Sequence, residues 1–425
     1  MTKEEFEQKL KDKKIWWCPL PWTHIFSSLS GRYAPCYDAL AKTGHNMEDT
    51  TIREWYTSDY QNRLREEMLK EDYDGKFFDE HCTGCRKHEK LYGRSDRQKY
   101  VEQVLAGTFD NKVPELLRAV LKFQKEGKID LDERLLDIKM KMFGNACNLD
   151  CYMCHPRSAN TRTISLNKVF KNTGKVFDPD LDPKDGERMN TLKHDDEEYL
   201  NDVASVAKYT KSIKLIGGEP LVMKNHYKLL DKLVQTGYAD GIGLIYKTNL
   251  SVFKMEGYDF RNYFGKFKEF IMKISIDSYG KYNDYIRKKS DWPQLINNMK
   301  VMKARKDCRV NVHSVVSFLS VLHIWKLQEF LKELGIDHTY YIIQFPQILE
   351  VKNLPYEIKQ SLIPKYKDYP NIVRALKKEQ DKEDFIKTIE YCQALDRNHN
   401  NYKLFELYPE LESYYRKAKN ETNIR

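Results

Sequence analysis

Three cysteines stand close together near the middle of the chain, in the segment CNLDCYMC that runs from Cys147 to Cys154. With Cys151 between them, their spacing is C-x3-C-x2-C. Structural zinc is normally held by four protein ligands, so three thiolates suit it poorly unless His155 joins them. A [4Fe–4S] cluster is held by thiolates at its iron corners, and three thiolates leave one iron open. The spacing therefore favours a cluster whose fourth iron binds another molecule.

A second motif, KLIGGEPLVM, follows a predicted strand at Ser212–Ile216. Its turn consists of Gly217, Gly218, Glu219 and Pro220. Two glycines let main-chain groups approach a ligand, a carboxylate can receive an ammonium group, and proline fixes the path of the chain that leaves. By itself, GGEP is compatible with an ordinary tight turn. In a chain that also has the three-cysteine segment, it indicates a loop for a small polar cofactor.

Four more cysteines lie in the N-terminal part of the chain, at Cys18, Cys36, Cys82 and Cys85. They make a closed set of thiolate ligands. Such a set suits either zinc or a second iron–sulfur cluster, and the spacing does not separate the two. The remaining cysteines, Cys308 and Cys392, have no partner at metal-ligand spacing and are expected to be buried thiols.

The composition is that of a charged globular protein. Of 425 residues, 41% are hydrophobic and 32% are charged, and the net charge is +9. The two signs are interleaved, which is typical of a solvated mixed surface and leaves an anionic partner open. The first residues, MTKEEFEQKLKDKK, lack the apolar region of a signal peptide, and no later run approaches a membrane span. We therefore expect a cytoplasmic protein without a membrane partner, in which clustered cysteines are ligands and not disulfides.

Strand and helix patterns alternate through the central part of the chain. The residues LLDIKMKMF, 135–143, alternate like a strand and lead directly into the three-cysteine segment. Further strands are predicted at Ser212–Ile216, Ile242–Asn249, Phe270–Asp277, Arg309–Ser317 and His338–Phe345. Helical patterns separate them at 195–209, 225–237, 292–305 and 322–335. The alternation predicts an α/β fold with a parallel sheet, an incomplete (β/α)6 barrel, with its site at the C-terminal ends of the strands.

The motifs CNLDCYMC and GGEP together resemble those of the radical S-adenosylmethionine (SAM) enzymes. The resemblance implies that Cys147, Cys151 and Cys154 hold a [4Fe–4S] cluster and that the GGEP loop binds the amino group of SAM. The amino and carboxylate groups of SAM are then expected to chelate the open iron. One electron cleaves SAM in such enzymes to methionine and a 5′-deoxyadenosyl radical, which abstracts a hydrogen atom from the substrate. The cofactor performs this chemistry, and the protein positions the reacting groups and excludes competing reactions.

Two further segments resemble parts of the same family that contact SAM. In KISIDSYGKYNDYIR, Ser275 and Arg287 have the spacing of a serine and an arginine that hold the SAM carboxylate in peptide-modifying members. A planar guanidinium suits that carboxylate. In TNL, Asn249 matches a position near SAM on the third strand. The chain departs from the family at Met153, where an aromatic residue often packs near adenine, and Tyr152 stands beside it.

The N-terminal cysteine region resembles the auxiliary-cluster region of radical SAM proteins with a twitch domain, a shortened form of the SPASM domain. The matching segments are CPLPWTHIFSSLSGRYAPC, RLREEMLKE and CTGCRKHEKLYGRSDRQ. In better-known members this region follows the barrel, whereas here it precedes it. The resemblance favours a second [4Fe–4S] cluster over zinc, with an electron-transfer or structural role. It also implies an electron donor such as flavodoxin or ferredoxin.

These features predict four parts: a twitch-like domain at 1–110, a helical linker at 111–134, the barrel at 135–345 and a helical extension at 346–425. Enzymes with such an auxiliary domain commonly act on peptides or proteins, so that is the predicted substrate class. The alternative is a nucleoside, nucleotide or nucleic-acid base, which the net positive charge and the abundant Tyr and Arg residues favour. A hypothesis of another class is a non-catalytic zinc or iron–sulfur binding module, which leaves GGEP without a purpose.

Overall fold

The computed structural model describes residues 1–28, 31–37, 39, 43–132, 134–141, 144–187, 196–380, 382–397 and 401–423. The strands are β1 (His24–Ser27), β2 (Tyr33–Ala34), β3 (Leu136–Met140), β4 (Asp150–Cys151), β5 (Thr210–Leu215), β6 (Gly243–Thr248), β7 (Lys254–Met255), β8 (Tyr258–Asp259), β9 (Glu269–Ser275), β10 (Arg287–Lys288), β11 (Cys308–Val316) and β12 (Asp337–Ile342).

Helices lie before, between and after these strands. They are α1 (Lys3–Lys11), α2 (Leu20–Thr23), α3 (Ile52–Thr57), α4 (Asp59–Met68), α5 (Gly75–His81), α6 (Thr83–Tyr92), α7 (Asp96–Leu105), α8 (Val113–Glu126), α9 (Asn160–Thr173), α10 (Lys184–Glu187), α11 (Asp196–Ser205), α12 (Lys224–Gln235), α13 (Lys281–Ile286), α14 (Trp292–Lys303), α15 (Ile324–Glu333), α16 (Tyr356–Leu362), α17 (Pro370–Leu376), α18 (Lys382–Asp396), α19 (Leu404–Leu407) and α20 (Pro409–Asn423).

The main sheet has the strand order β12-β11-β9-β6-β5-β3-β1-β2 within the part of the chain that the structure describes. Every neighbouring pair is parallel except β1 and β2. From β3 to β12 the strands are adjacent in chain order, with helices in the connections, as the sequence predicts for an incomplete (β/α)6 barrel. The predicted strands are confirmed with shifts of up to three residues at their ends, and residues 142 and 143 of the first one lie outside the described ranges.

The sheet has one face buried under helices and one face open. Along β9, Phe270, Met272 and Ile274 are fully buried, whereas Ile271 and Lys273 between them are half-buried. Successive side chains of a strand point to opposite faces, so the buried set faces the outer helices and the other set forms the inner face of the barrel. The C-terminal ends of the parallel strands meet at one edge of this inner face.

The outer helices form where the sequence supplies both a cap and an apolar stripe. Helix α14 is capped by Asp291, which accepts a hydrogen bond from the amide of Gln294, and Pro293 stands in its first turn. Its buried side chains include Leu295 and Met299. This N-terminal cap and helical spacing account for the predicted helix at 292–305.

One strand of the sheet comes from the N-terminal cysteine region. Strand β1 lies parallel to β3, with Ile25 opposite Ile138 and Ser27 opposite Met140, and it turns back into β2. The N-terminal cysteine region therefore shares a sheet with the barrel. The sequence did not indicate this pairing, because residues that are 113 positions apart carry no local signal for it.

The C-terminal extension is helical, as predicted, and packs against the barrel. Helix α18 buries Phe385, Ile389 and Cys392 and contacts α9, the helix that follows the three-cysteine segment. None of the helices in the described ranges is long and apolar enough to cross a lipid bilayer.

Candidate active site

The three cysteines lie in a loop that begins at the C-terminal end of β3. The amide of Cys147 donates a hydrogen bond to the Asn160 side chain at 3.1 Å, and the amide of Cys154 donates one to the Cys151 carbonyl at 3.1 Å. Cys151 belongs to β4, which pairs with β10 so that Cys151 stands opposite Arg287. The loop is thus held at its start by α9 and at its centre by a two-strand ladder.

Arg287 places its positive charge beside these thiols. Its Nη1 lies 3.7 Å from Cys151 Sγ, and its Nε lies 2.7 Å from the carboxylate of Asp277. The Cys154 pKa is lowered, first by a hydrogen bond from Cys151 and then by the charge of Arg287. Burial raises the pKa of the Cys147 thiol to about 12. Burial thus disfavours the thiolate of Cys147, and a metal cluster bound at this loop would hold it in that form.

The GGEP turn packs directly on the cysteine loop. The Glu219 amide donates to the Ala146 carbonyl at 2.8 Å. Gly218 has φ +46°, and a Cβ at that position would lie 2.1 Å from the same Ala146 oxygen. Gly217 has φ +100°, and its Cβ would lie 3.1 Å from the Gly144 carbonyl. Both glycines are required by close backbone approach as well as by the left-handed conformation.

The Glu219 carboxylate is buried and ties the turn to the neighbouring strand β6. It accepts hydrogen bonds from the Leu221 amide at 3.1 Å, the Thr248 hydroxyl at 2.7 Å and the Asn249 amide at 2.6 Å. Burial raises its pKa to about 7, although these hydrogen bonds oppose the shift. With its oxygens occupied in this way, the side chain orients the loop. Binding of an ammonium group by this loop stays a prediction.

Asn249 connects the end of β6 to the cysteine loop. Its side-chain Nδ2 donates to the Asn148 side-chain oxygen at 3.0 Å, and its side-chain oxygen accepts from Ser251. Ser275 ends β9 on the inner face, opposite His313 of β11. The predicted residues from three separate strands and the cysteine loop thus all lie at the C-terminal ends of the strands.

Comparison with known proteins adds a family match for the central part of the chain. Residues 142–339 match the family model of the Radical SAM superfamily. The chain carries a radical SAM domain. The match begins just before the cysteine loop and ends in β12, within the predicted barrel at 135–345. Members of this superfamily hold a [4Fe–4S] cluster and SAM.

Solved structures with similarity to the chain include two proteins with bound S-adenosylmethionine. SuiB of Streptococcus suis bound to S-adenosylmethionine is 14% identical, with a TM-score of 0.36, and the match covers 69% of this chain and 62% of that one. The structure of native anSMEcpe with bound AdoMet is 16% identical, with a TM-score of 0.33, and the match covers 55% and 61%. The chain spans about three fifths of the length of each. No curated protein matches the chain.

The four N-terminal cysteines line a single cavity, together with Trp16, Arg97 and Tyr100. Burial raises the pKa of Cys18 and of Cys82 well above the usual range, and the other thiols of the set raise both further. Thiols that raise one another's pKa are close neighbours, and a bound metal would hold them as thiolates. In the described residues, no group of three or more Cys, His, Asp or Glu side chains is arranged to hold a single metal ion.

Two residues that support the cysteine loop, Asp277 and Asp396, were not picked out from the sequence. Asp277, fully buried, lies between Ser275 and Arg287 in the same motif and carries the ion pair with Arg287. Tyr152 is 1% exposed and donates a hydrogen bond to Asp396 of α18 at 3.3 Å. Its ring thus faces the C-terminal extension. An acidic residue just past the end of a strand was the available signal for Asp277, whereas nothing local pointed to Asp396.

Proposed function

We propose that this protein reductively cleaves SAM and uses the 5′-deoxyadenosyl radical to abstract a hydrogen atom from a substrate. The observation that carries the proposal is the direct packing of the GGEP turn on the cysteine loop, through the Glu219 amide and the Ala146 carbonyl at 2.8 Å. Three thiols and a cofactor loop then share one edge of a parallel sheet, where barrel enzymes place their sites.

In this proposal, Cys147, Cys151 and Cys154 hold a [4Fe–4S] cluster. When bound, the cluster supplies the electron that breaks a carbon–sulfur bond of SAM. Arg287 keeps positive charge beside the thiolates, and Asp277 fixes the orientation of the guanidinium. A contact of Arg287 or Ser275 with the SAM carboxylate remains a prediction, as does a contact of Asn249 with SAM.

The chain itself holds the rest of the site in place. The Glu219 carboxylate fixes the relative positions of the GGEP turn and β6, because it accepts hydrogen bonds from both. Pro220 directs the chain into a buried 3-10 turn. A rigid arrangement of this kind keeps a bound cofactor in one orientation without reorganisation during the reaction.

For the N-terminal cysteines we propose a second [4Fe–4S] cluster held by Cys18, Cys36, Cys82 and Cys85, with zinc as the alternative. A fully ligated cluster has no open iron, so its role would be electron transfer or structure. The shared cavity and the charge of Arg97 beside the thiols support one metal centre there. Reduction of either cluster requires an electron donor such as flavodoxin or ferredoxin.

The predicted peptide or protein substrate rests on the family resemblance alone. The second candidate, a nucleoside, nucleotide or nucleic-acid base, gains support from the inner face of the barrel, where lysines are concentrated. Hydrogen abstraction is common to both candidates, and the reaction class does not depend on the choice between them.

Iron and sulfide content after anaerobic reconstitution, with 5′-deoxyadenosine formation under dithionite, tests the proposal. We expect about eight irons per wild-type chain and about four in a Cys147→Ala/Cys151→Ala/Cys154→Ala variant, which forms no 5′-deoxyadenosine. Cys308→Ala is the matched control, since Cys308 begins β11 at the N-terminal ends of the strands, away from the cysteine loop. Iron-loaded wild-type protein that fails to cleave SAM would overturn the proposal.

A further inference from the structure

The inner face of the barrel carries a set of lysines at its C-terminal half. We call them the inner lysines: Lys139, Lys141, Lys214, Lys247 and Lys273. Lys139 on β3 stands directly opposite Lys214 on β5, and Lys247 on β6 stands directly opposite Lys273 on β9. The two pairs are joined through β5 and β6, which are themselves neighbours in the sheet. Four adjacent parallel strands and the loop after β3 therefore present ammonium groups to one space.

These ammonium groups are close enough to act on one another. Burial, and then the charges of Lys139, Lys273 and Lys247, lower the pKa of Lys214 to about 7. Burial, and then Lys273 and Lys141, likewise lower the pKa of Lys247. Because like charges at short range repel, the arrangement costs stability in the absence of an anion.

The surrounding carboxylates do not neutralise the set. Asp137, deeper on the inner face of β3, pairs with Lys112. Glu269, at the start of β9, pairs with Arg309. Among the residues that the structure describes, no carboxylate, hydrogen-bond acceptor or aromatic ring pairs with the inner lysines other than Lys139. Lys139 itself lies over the ring of Tyr37, at 3.8 Å.

The inner lysines lie next to the proposed cofactor site. The side chain of Lys141 is 3.8 Å from the point where a Cβ on Gly217 would stand. Lys273 is on the same face as Ser275, two residues before it on β9. A ligand bound by these lysines would therefore extend from the centre of the barrel toward the GGEP turn and the cysteine loop.

We propose that the inner lysines bind a phosphate-bearing substrate, with its phosphate groups inside the barrel and its reacting carbon toward the cysteine loop. The inference rests on the proposed function for its reaction and deepens it by naming the substrate class. Several unpaired ammonium groups call for more than one negative charge, which a phosphate ester or diphosphate carries and a single carboxylate does not. Lysine binds phosphate as a point charge, whereas arginine suits planar bidentate carboxylates, and β3, β5, β6 and β9 contain no arginine.

Titration calorimetry of the full-length protein with inorganic pyrophosphate tests the binding site directly. We expect Lys214→Gln/Lys273→Gln to weaken pyrophosphate binding by at least about tenfold, since each lost ion pair with phosphate is a charge-assisted contact. The charge-retaining Lys214→Arg/Lys273→Arg should bind within a few-fold of wild type. Lys300→Gln/Lys303→Gln, two exposed lysines of α14, is the matched control and should bind like wild type.

Further titrations identify which phosphorylated compound the site prefers. A nucleoside diphosphate and a sugar phosphate, titrated separately, show which phosphorylated compound gains affinity over pyrophosphate. A glutamate-rich peptide that binds as tightly as pyrophosphate and competes with it would overturn the assignment to phosphate. Equal pyrophosphate binding by wild type and the glutamine variant would overturn the site itself.

The two proposals fail separately. Pyrophosphate binding needs neither cluster nor SAM, so lysine-dependent binding by a protein that does not cleave SAM would support the anion site and reject the radical reaction. SAM cleavage by wild-type protein that shows no lysine-dependent pyrophosphate binding would support the radical reaction and reject the anion site.

Discussion

Arg287 and Cys151 stand opposite each other in a two-strand antiparallel ladder, with the guanidinium Nη1 3.7 Å from the cysteine sulfur. The same guanidinium lies 2.7 Å from the buried carboxylate of Asp277. The pairing brings Arg287, the last residue of KISIDSYGKYNDYIR, to Cys151 in the middle of CNLDCYMC, 136 residues earlier in the chain. It makes Arg287 a structural support for the cysteine loop, whatever further contact it makes with a cofactor.

Replacement of Arg287 should destabilise the protein strongly. Arg287→Gln leaves Asp277 buried without its charge partner, so we expect the free energy of unfolding to fall by about 3 kcal/mol. The control is Arg309→Gln, which breaks the exposed pair with Glu269 and should cost at most about 1 kcal/mol. Denaturant unfolding under anaerobic conditions measures both. Equal losses in the two variants would refute a special role for the buried pair.

Gly218 should not tolerate a side chain. In Gly218→Ala the new Cβ meets the Ala146 carbonyl, so the GGEP turn must leave the cysteine loop. We expect loss of SAM binding, measured by equilibrium dialysis with labelled SAM. Gly265→Ala is the matched control, because Gly265 also has positive φ, +76°, but nothing lies within 4 Å of its Cβ position. Left-handed strain alone costs about 1–2 kcal/mol, and the control should retain SAM binding.

The stability of the protein should depend on pH through Lys214. Its pKa is about 7 in the fold against an ordinary value of 10.5, because of burial and the charges of Lys139, Lys273 and Lys247. His313, also on the inner face, has its pKa lowered to about 4 and is neutral in this window. Between pH 7 and 10.5, Lys214 is protonated in the unfolded chain but largely neutral in the fold. The free energy of unfolding therefore rises with pH across this window. Below pH 7 the folded protein bears the full cost of burying the charged ammonium group.

Removal of the Lys214 charge should therefore stabilise the ligand-free protein. We expect Lys214→Met to raise the free energy of unfolding at about pH 7 by about 1 kcal/mol, after allowance for solvent screening. The difference from wild type should narrow at about pH 9.5. Unfolding curves at the two pH values check this, with Lys300→Met as an exposed control. A gain that does not change with pH would contradict the electrostatic explanation.

The N-terminal metal centre should be separable from the central one. In Cys82→Ala one of four ligands is lost, so we expect about four irons fewer per chain, while the central cluster remains. Iron analysis with zinc analysis on the same samples measures this. Zinc at about one per wild-type chain, absent in the variant, would identify the alternative metal. No change in either metal would contradict a centre at this cavity.

The C-terminal extension should support the cysteine loop through Asp396. This buried carboxylate accepts hydrogen bonds from Tyr285 at 2.8 Å, from the Leu404 amide at 2.7 Å and from Tyr152 at 3.3 Å. Asp396→Ala removes an acceptor that three buried donors share, so we expect a loss of about 2–4 kcal/mol in unfolding free energy. Reconstituted iron should also fall in this variant. Glu383→Ala, at an exposed position of the same helix, is the control and should change neither quantity.

Much of the barrel was predictable because its signals are local. The strand predicted at Phe270–Asp277 is observed at Glu269–Ser275, and that predicted at Arg309–Ser317 is observed at Cys308–Val316. Apolar alternation specifies a strand within a few residues, and helix caps specify where the intervening helices begin. The alternating order of the elements then leaves few topologies other than a parallel sheet.

The sequence by itself determined the two motifs, the order of strands and helices, and the identity of the cysteines that can bind metal. It did so because spacing and period are properties of neighbouring residues. The tertiary structure alone decided that β1 pairs with β3, that Tyr152 donates a hydrogen bond to Asp396, and that the Glu219 carboxylate accepts one from Thr248 of β6. It also decided that lysines from four strands share one space, because the register between distant strands sets which side chains meet.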